Sequence, residues 1–344
     1  MDKSSLEEQI RSLEKKVSAA TLPKDLTEKI MGEISLAASG SFANFESVSN
    51  YINWIISLPF NKKTEDILDL VKAKEILDKN HYGLETVKNR ILEYLSSLIL
   101  NLKNDQSSIT RAPILCLVGL VGTGKTTLAS SIAESLGRKF ERIPFGGMGT
   151  ASFLRGTERT LADSKPGAVV KSVIDSQSKN PVILLDEIDR VEEASRADVM
   201  GVLVELLDPS QNNRFTDLYI DYPFDLSQTL FIATANNTTH ISTAVLDRLE
   251  IIQMPSYSDA EKTMIAKSYL FPKMRSQTGL APEQISIDET VWPTIIRPLG
   301  FDSGIRSLER SIEGICRKVA RMVVEGKTQT VNITSENVKE FLTI

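Results

Sequence analysis

A near-continuous apolar run, Ile114-Leu115-Cys116-Leu117-Val118, leads straight into Gly119-Leu120-Val121-Gly122-Thr123-Gly124-Lys125-Thr126, and no other stretch restricts the fold as tightly. Five apolar residues between Pro113 and Gly119 are too few for a core helix, so they predict a strand buried on both faces of a parallel sheet. The segment after them fits G-x-x-x-x-G-K-[ST] and opens a helical stretch, Thr127-Leu128-Ala129-Ser130-Ser131-Ile132-Ala133. The bare pattern is expected by chance in about one chain in a hundred of this length, and strand-before, helix-after context makes coincidence rarer still. Glycines there let backbone N–H groups converge on an anion at the positive end of a helix. The candidate phosphate contacts are Gly119, Gly122, Thr123, Gly124, Lys125, Thr126 and Thr127. Lys125 is expected on the β and γ phosphates and the Thr126 hydroxyl on Mg²⁺, which makes ATP and Mg²⁺ the expected cofactors.

Two further buried runs follow, Val182-Ile183-Leu184-Leu185 and Leu230-Phe231-Ile232-Ala233-Thr234, with helical stretches between. Alternating strands and helices predict an α/β layered domain with right-handed crossovers. The second run ends in Asp186-Glu187, about 60 residues past the glycine loop. Carboxylates leaving an apolar strand are costly unless paired or serving a cation. Asp186 therefore suits the Mg²⁺ shell, and Glu187 suits polarisation of an attacking water as general base. The third run ends in Ala235-Asn236, and a polar residue at the ligand-binding edge of a parallel sheet can orient water near a γ-phosphate.

The chain has 344 residues, enough for two or three domains. Residues 1–75 read as a helical or coiled segment, with an apolar stripe at Leu6, Ile10, Leu13 and Val17, a break at Ser39-Gly40-Ser41, and a second apolar face through Trp54 that stops at Pro59. Trp54 is expected in a core. Residues 76–255 form the α/β unit, with a polar linker at 101–108, and residues 256–344 a small helical unit with period-3.6 runs such as Ile305 to Ile312. The formal charge of −5, from 40 Lys plus Arg and 45 Asp plus Glu, offers no global attraction for nucleic acid or an anionic membrane. No apolar run approaches the length of a bilayer span. Cys116 and Cys316 are expected as buried free thiols of a reducing compartment, and the first ten residues lack the features of a secretion or transit signal.

The glycine loop, Asp186-Glu187, Asn236, Leu246-Asp247-Arg248-Leu249-Glu250 and Gly304-Ile305-Arg306-Ser307-Leu308-Glu309-Arg310 together resemble the AAA+ module of the Lon family of ATP-dependent proteases. His81-Tyr82-Gly83-Leu84-Glu85, Leu206-Leu207-Asp208-Pro209 and Ile315-Cys316-Arg317-Lys318-Val319-Ala320 add to the resemblance, which runs from about residue 48 to the last helices. It implies nucleotide clamped between a large α/β and a small helical subdomain, in subunits of a homo-hexameric ring working on unfolded or damaged proteins. It further implies that Arg248 reaches a neighbour's γ-phosphate, that Arg306 senses nucleotide from the small subdomain, and that His81 and Tyr82 edge the adenine. A trans-acting arginine accelerates phosphoryl transfer by about 10³–10⁵. Local ion pairs, Arg248 with Asp247 or Glu250 and Arg306 with Glu309, are the competing readings.

Two departures qualify the resemblance. The Ser-Lys protease domain of the family would follow Ile344, so no peptidase site is expected among these residues; a protease domain in a longer parent chain is one reading and a natural protein without it another. The family's aromatic pore loop is here Glu158-Arg159-Thr160-Leu161-Ala162-Asp163-Ser164-Lys165-Pro166-Gly167, so Leu161 and Ala162 should grip a translocating chain less firmly than an aromatic burying about 150–250 Å². That leaves a nucleotide-dependent scaffold as the alternative to a motor. DNA binding, known in the family, is not indicated by the charge. The expected location is cytoplasmic, or the mitochondrial matrix or peroxisomal lumen for an excised module.

Overall fold

A computed structural model describes residues 3–38, 42–103, 113–297 and 304–342. The expected break at Ser39-Gly40-Ser41 and most of the 101–108 linker lie outside the described residues, as does the side chain of Leu6. Asn101, Leu102 and Lys103, read as linker, instead complete a helix: polar residues on its last turn do not end it while Leu98 and Ile99 keep its apolar face buried.

Three helices open the chain, α1 (Lys3–Ala19), α2 (Lys24–Ala38) and α3 (Phe42–Ser57). An extended stretch leads to α4 (Leu70–Asn80), capped by the Asp69 carboxylate on the Val71 and Lys72 amides, and then to α5 (Glu85–Lys103). Position 75 thus lies inside α4. The α/β layer follows: β1 (Ile114–Val118), α6 (Lys125–Leu136), β2 (Phe140–Pro144), α7 (Ser152–Arg155), α8 (Ala168–Ser176), β3 (Val182–Asp186), α9 (Arg196–Leu207), the short hairpin β4 (Phe215–Thr216) and β5 (Pro223–Phe224), β6 (Leu230–Ala235), α10 (Thr243–Leu246) and β7 (Leu249–Gln253).

The main sheet has five strands in the order β2-β3-β6-β1-β7, all pairs parallel. β3 and β6 are buried along their whole length, which is why each reads as an unbroken apolar run. From β1 the chain crosses by α6 over two strands to the far edge, while β7 lies on the other side of β1. The loop after β1 therefore sits where the winding changes direction, the place where open α/β sheets bind ligands. Register puts the C-terminal ends together: Val118 pairs with Ala235, and Pro144 with Asp186.

One face of the sheet and the first three helices share a core. Leu26, Ile30, Ile34, Tyr51 and Ile55 pack in one cluster with Cys116, Ile183, Leu185 and Phe231, and Trp54 lies half-buried against it. Tyr51 donates to the Ile220 carbonyl at 3.0 Å and meets Tyr219 edge-on. The other face carries Leu115, Leu117, Leu184 and Ile232 against Leu77, Ile91, Leu95 and Leu128.

After β7 come α11 (Asp259–Ile265), a π-helical segment Ala266–Leu270, α12 (Phe271–Gln277), β8 (Ile285–Ile287), α13 (Trp292–Ile296), α14 (Arg306–Val324), β9 (Val331–Ile333) and α15 (Val338–Phe341). This part is the expected helical unit, and it also carries a two-stranded parallel ribbon of β8 and β9 that the sequence reading did not include. Three-residue strands are too short to show a period of two. Leu308, Ile312, Ile315, Cys316 and Val319 form the buried stripe of α14 and the centre of a third core. Both cysteines are buried and free, and burial pushes the Cys116 thiol up to about 12 and the Cys316 thiol to about 11, so neither ionises at neutral pH. Among the described residues no helix is long and apolar enough to cross a membrane.

Candidate functional site

A cavity of about 540 Å³ opens between the C-terminal edge of the sheet and the third core. Gly122, Gly124, Lys125, Thr126 and Thr127 line it, together with Asp186 and Glu187 at the end of β3 and Tyr257, Tyr269, Ile305 and Arg306 from beyond β7. His81 and Tyr82 also line it. Gly122 and Gly124 hold φ of 83° and 91°, a region that side-chain-bearing residues rarely adopt. No side chain caps α6, whose first residue is Lys125, so its N-terminal N–H groups stay available to an anion.

Two loop residues do other work. Gly119 is absent from the cavity lining; a Cβ there would lie 2.7 Å from the Met254 carbonyl oxygen, so glycine permits the close approach of the segment after β7. Thr123 is buried and pins the loop by donating to the Leu120 carbonyl at 2.9 Å. Thr127 donates likewise to the Gly124 carbonyl at 2.9 Å.

Lys125, only 7% exposed, donates to the carbonyls of Gly119 and Leu120 at 2.5 and 3.0 Å and to Asn236 Oδ1 at 3.2 Å. Burial holds its ammonium below the ordinary lysine range, opposed by the carboxylates of Asp189, Glu187 and Asp186. Three neutral acceptors thus hold a cation that an anionic ligand can draw away. Asp186 takes a hydrogen bond from the Thr234 hydroxyl and an ion pair from Arg142, with Nη2 to Oδ2 at 2.6 Å. The same Thr234 hydroxyl accepts from the Glu187 amide at 2.8 Å, which helps hold Glu187 at a left-handed φ of 59°.

These residues fit nucleotide and Mg²⁺. Among the described residues there is no all-protein cluster of three or more metal-ligating side chains. Instead a hydroxyl, Thr126, and two carboxylates face an uncapped helix start, as expected for an ion that takes its remaining ligands from phosphates and water.

Arg306, at the start of α14, lines the cavity, and the competing pair with Glu309 does not form because Glu309 engages Lys273 at 3.0 Å. Gly304 and Gly122 meet backbone to backbone: the Ile305 amide donates to the Gly122 carbonyl at 3.0 Å, and a Cβ on Gly304 would lie 2.5 Å from the Val121 oxygen. Arg248 is not among the lining residues. It donates to Asp208 Oδ2 at 2.7 Å and to the Ala244 carbonyl at 2.8 Å, so its ionic partner is neither Asp247 nor Glu250. The Ser210 hydroxyl and then the Arg248 guanidinium hold the Asp208 carboxyl well below the usual range. Leu161, 56% exposed, and Ala162 lie on a loop away from the cavity. That loop is closed at its base by Thr157 and Lys165, anchored by the buried Asp217 on the Gly167 amide, and held by Arg159, which pairs with Glu33 at 2.8 Å and stacks on the Tyr51 ring.

His81 contacts the Ser131 hydroxyl at 2.9 Å, and burial lowers its pKa to about 4, so it is neutral at physiological pH. Four residues of the site, Thr234, Asp189, Arg142 and Tyr257, were not expected from the sequence. Thr234 had a signal, a hydroxyl inside a fully buried strand. Arg142 had none, since it lies on an edge strand whose alternation is broken by charge. Tyr257, donating to the Thr123 carbonyl at 3.2 Å, sits on an irregular connection.

Residues 115–257 match the model of the ATPase family associated with various cellular activities (AAA), and residues 276–331 match the Lon protease AAA+ ATPase lid domain. The chain is 42% identical over 340 residues to the Lon protease of Lawsonia intracellularis, covering 98% of this chain and 40% of the relative. Against the Lon protease of Desulforamulus reducens the figures are 43% over 330 residues, 95% and 40%. Against Lon protease 2 of Thermus thermophilus they are 39% over 346 residues, 98% and 43%. The chain therefore spans about 40% of the length of these curated relatives. With a five-stranded parallel sheet, a nucleotide-loop cavity roofed by the lid, and both domain models matched in order, the chain belongs to the Lon family as its AAA+ ATPase module.

Proposed function

We propose that the chain binds Mg·ATP between sheet and lid, hydrolyses it, and, assembled as a homo-hexameric ring, uses the cycle to pull on unfolded protein. The observation that carries this reading is one cavity shared by the uncapped start of α6, the carboxylates ending β3, and Arg306 of the lid. The loop amides and Lys125 bind the phosphates, and Lys125 exchanges its carbonyl partners for phosphate oxygens. Thr126 and Asp186 are the residues to hold Mg²⁺, which when bound neutralises charge on the β- and γ-phosphates. Glu187 takes the proton of the attacking water, and Arg306 reports nucleotide to α14. Arg248 acts on a neighbouring subunit's nucleotide, a role supported by its bond to Asp208 and its absence from the lining of its own cavity. Peptide-bond cleavage, which the relatives' names carry, is assigned to none of these residues.

Glu187→Gln tests the reading directly. It should keep ATP affinity within a few-fold and lower turnover by about 10²–10⁴; undiminished hydrolysis would remove Glu187 from the role. A second reading, a nucleotide-dependent scaffold, is favoured by one observation: the exposed tip of the 157–166 loop offers Leu161 and Ala162 and no aromatic. Stimulation of hydrolysis by an unfolded protein separates the two, since a motor responds and a scaffold does not.

A further inference from the structure

Asp189 is a buried carboxylate, 6% exposed, on the turn that follows β3. Its Oδ2 accepts from Asn236 Nδ2 and from the Asn237 amide, both at 3.4 Å, while its Oδ1 has no partner among the described residues. A carboxylate buried without full compensation is costly, and a fold keeps such a group where it has work to do. On the other side of the same amide, Asn236 Oδ1 accepts from Lys125 Nζ at 3.2 Å.

The two ends of the Asn236 amide are thereby sorted by chemistry. An ammonium can face only the oxygen, and a carboxylate can face only the NH₂ group; the reversed amide would set two repulsive pairs side by side. From this arrangement we infer that Asp189 is a positioning residue that fixes Asn236 with its carbonyl oxygen toward the phosphate site, where it serves as an acceptor. An outward amide nitrogen would grip a phosphate oxygen. An outward carbonyl is repelled by phosphate oxygens and instead holds a donor, either the Lys125 ammonium or an O–H of the attacking water. Asp189 thus assigns Asn236 to water orientation and not to phosphate binding, a refinement that rests on the ATPase reading above.

The test compares wild type, Asp189→Asn and the exchanged pair Asp189→Asn with Asn236→Asp in steady-state ATP hydrolysis. Asp189→Asn removes the compulsion on the amide and should lower kcat by about 100-fold, the scale of a misplaced reacting group, with KM for ATP held within about threefold. The exchanged pair restores donor against acceptor, with an oxygen again toward Lys125, and should recover kcat to within about tenfold of wild type. A loss of kcat and ATP affinity together, a kcat unchanged in Asp189→Asn, or no recovery in the exchanged pair would overturn the inference. The exchanged pair reads the same question if the single variant does not fold. A readout independent of turnover is the ¹⁵N-labelled side-chain amide of Asn236, assigned by its loss in Asn236→Ala. Its resonance should shift in Asp189→Asn, and an unmoved resonance overturns the positioning. A wild-type chain that does not hydrolyse ATP would sink the ATPase reading alone, leaving the resonance to decide the role of Asp189.

Discussion

Asp186 is asked to hold a divalent cation, yet in this structure its Oδ2 is engaged by Arg142 at 2.6 Å. The guanidinium is itself half-exposed, so water competes for it, and a dication should displace it at modest cost. Arg142→Gln should therefore tighten Mg²⁺ binding by a few-fold, measured by calorimetric titration at fixed nucleotide; weaker binding would show that Arg142 supports the site instead. His81 couples stability to pH. Its pKa is lowered from 6.5 to about 4 by burial, so the unfolded chain takes up a proton before the folded one does. Stability it contributes is present above about pH 6.5 and lost as pH falls toward 4, up to about 3 kcal/mol. His81→Gln should flatten the acid limb of a denaturation-midpoint profile; an unchanged limb would show that other groups set it.

Among the elements, the strands visible in the sequence are those buried on both faces, because burial demands an unbroken apolar run. β2 and β7 escaped notice for the opposite reason: at the sheet edges Glu141, Arg142 and Glu250 can face solvent or partners, and the apolar signal dissolves. The π-helical segment Ala266–Leu270, which turns Ser268 and Tyr269 toward the cavity, has no sequence period that separates it from α-helix. Extended residues 58–69 are likewise silent in sequence, yet Asp66 meets the fully buried Arg138 at 2.6 Å and ties that stretch to the end of α6. Removing Asp66 would leave a buried guanidinium without its counter-charge. Asp66→Ala should cost about 3 kcal/mol in chemical denaturation, whereas an effect below about 1 kcal/mol would mean that water reaches Arg138.

For the whole molecule, the phosphate loop, Asp186, Glu187 and Asn236 were legible because each follows a strand the sequence announces. Arg248 and Arg306 were legible only through family resemblance: neither has a local pattern, and nothing in spacing says that one lines the cavity while the other is held outside it by Asp208. Assembly should show in the kinetics. If Arg248 serves a neighbour's site, specific activity should rise with protein concentration, and Arg248→Ala should abolish that rise while leaving nucleotide affinity within a few-fold; full activity in a dilute monomer would refute it.

The backbone of Gly122 meets those of Gly304 and Ile305 where the long helix of the lid begins. Helix α14 starts there and runs 19 residues, about 28 Å at 1.5 Å per residue. Geometrically it is an arm whose near end rests on the phosphate loop. A pivot of about 10° at that point moves the far end by about 5 Å, the height of one helical turn. The short arm, by contrast, ends at backbone atoms whose spacing leaves no room for even a methyl group on Gly304. A displacement of phosphate at the loop would in this way be geared up at the far end of α14, and Gly304→Ala, whose methyl would press on Val121 and Gly122 of the phosphate loop itself, should jam that contact.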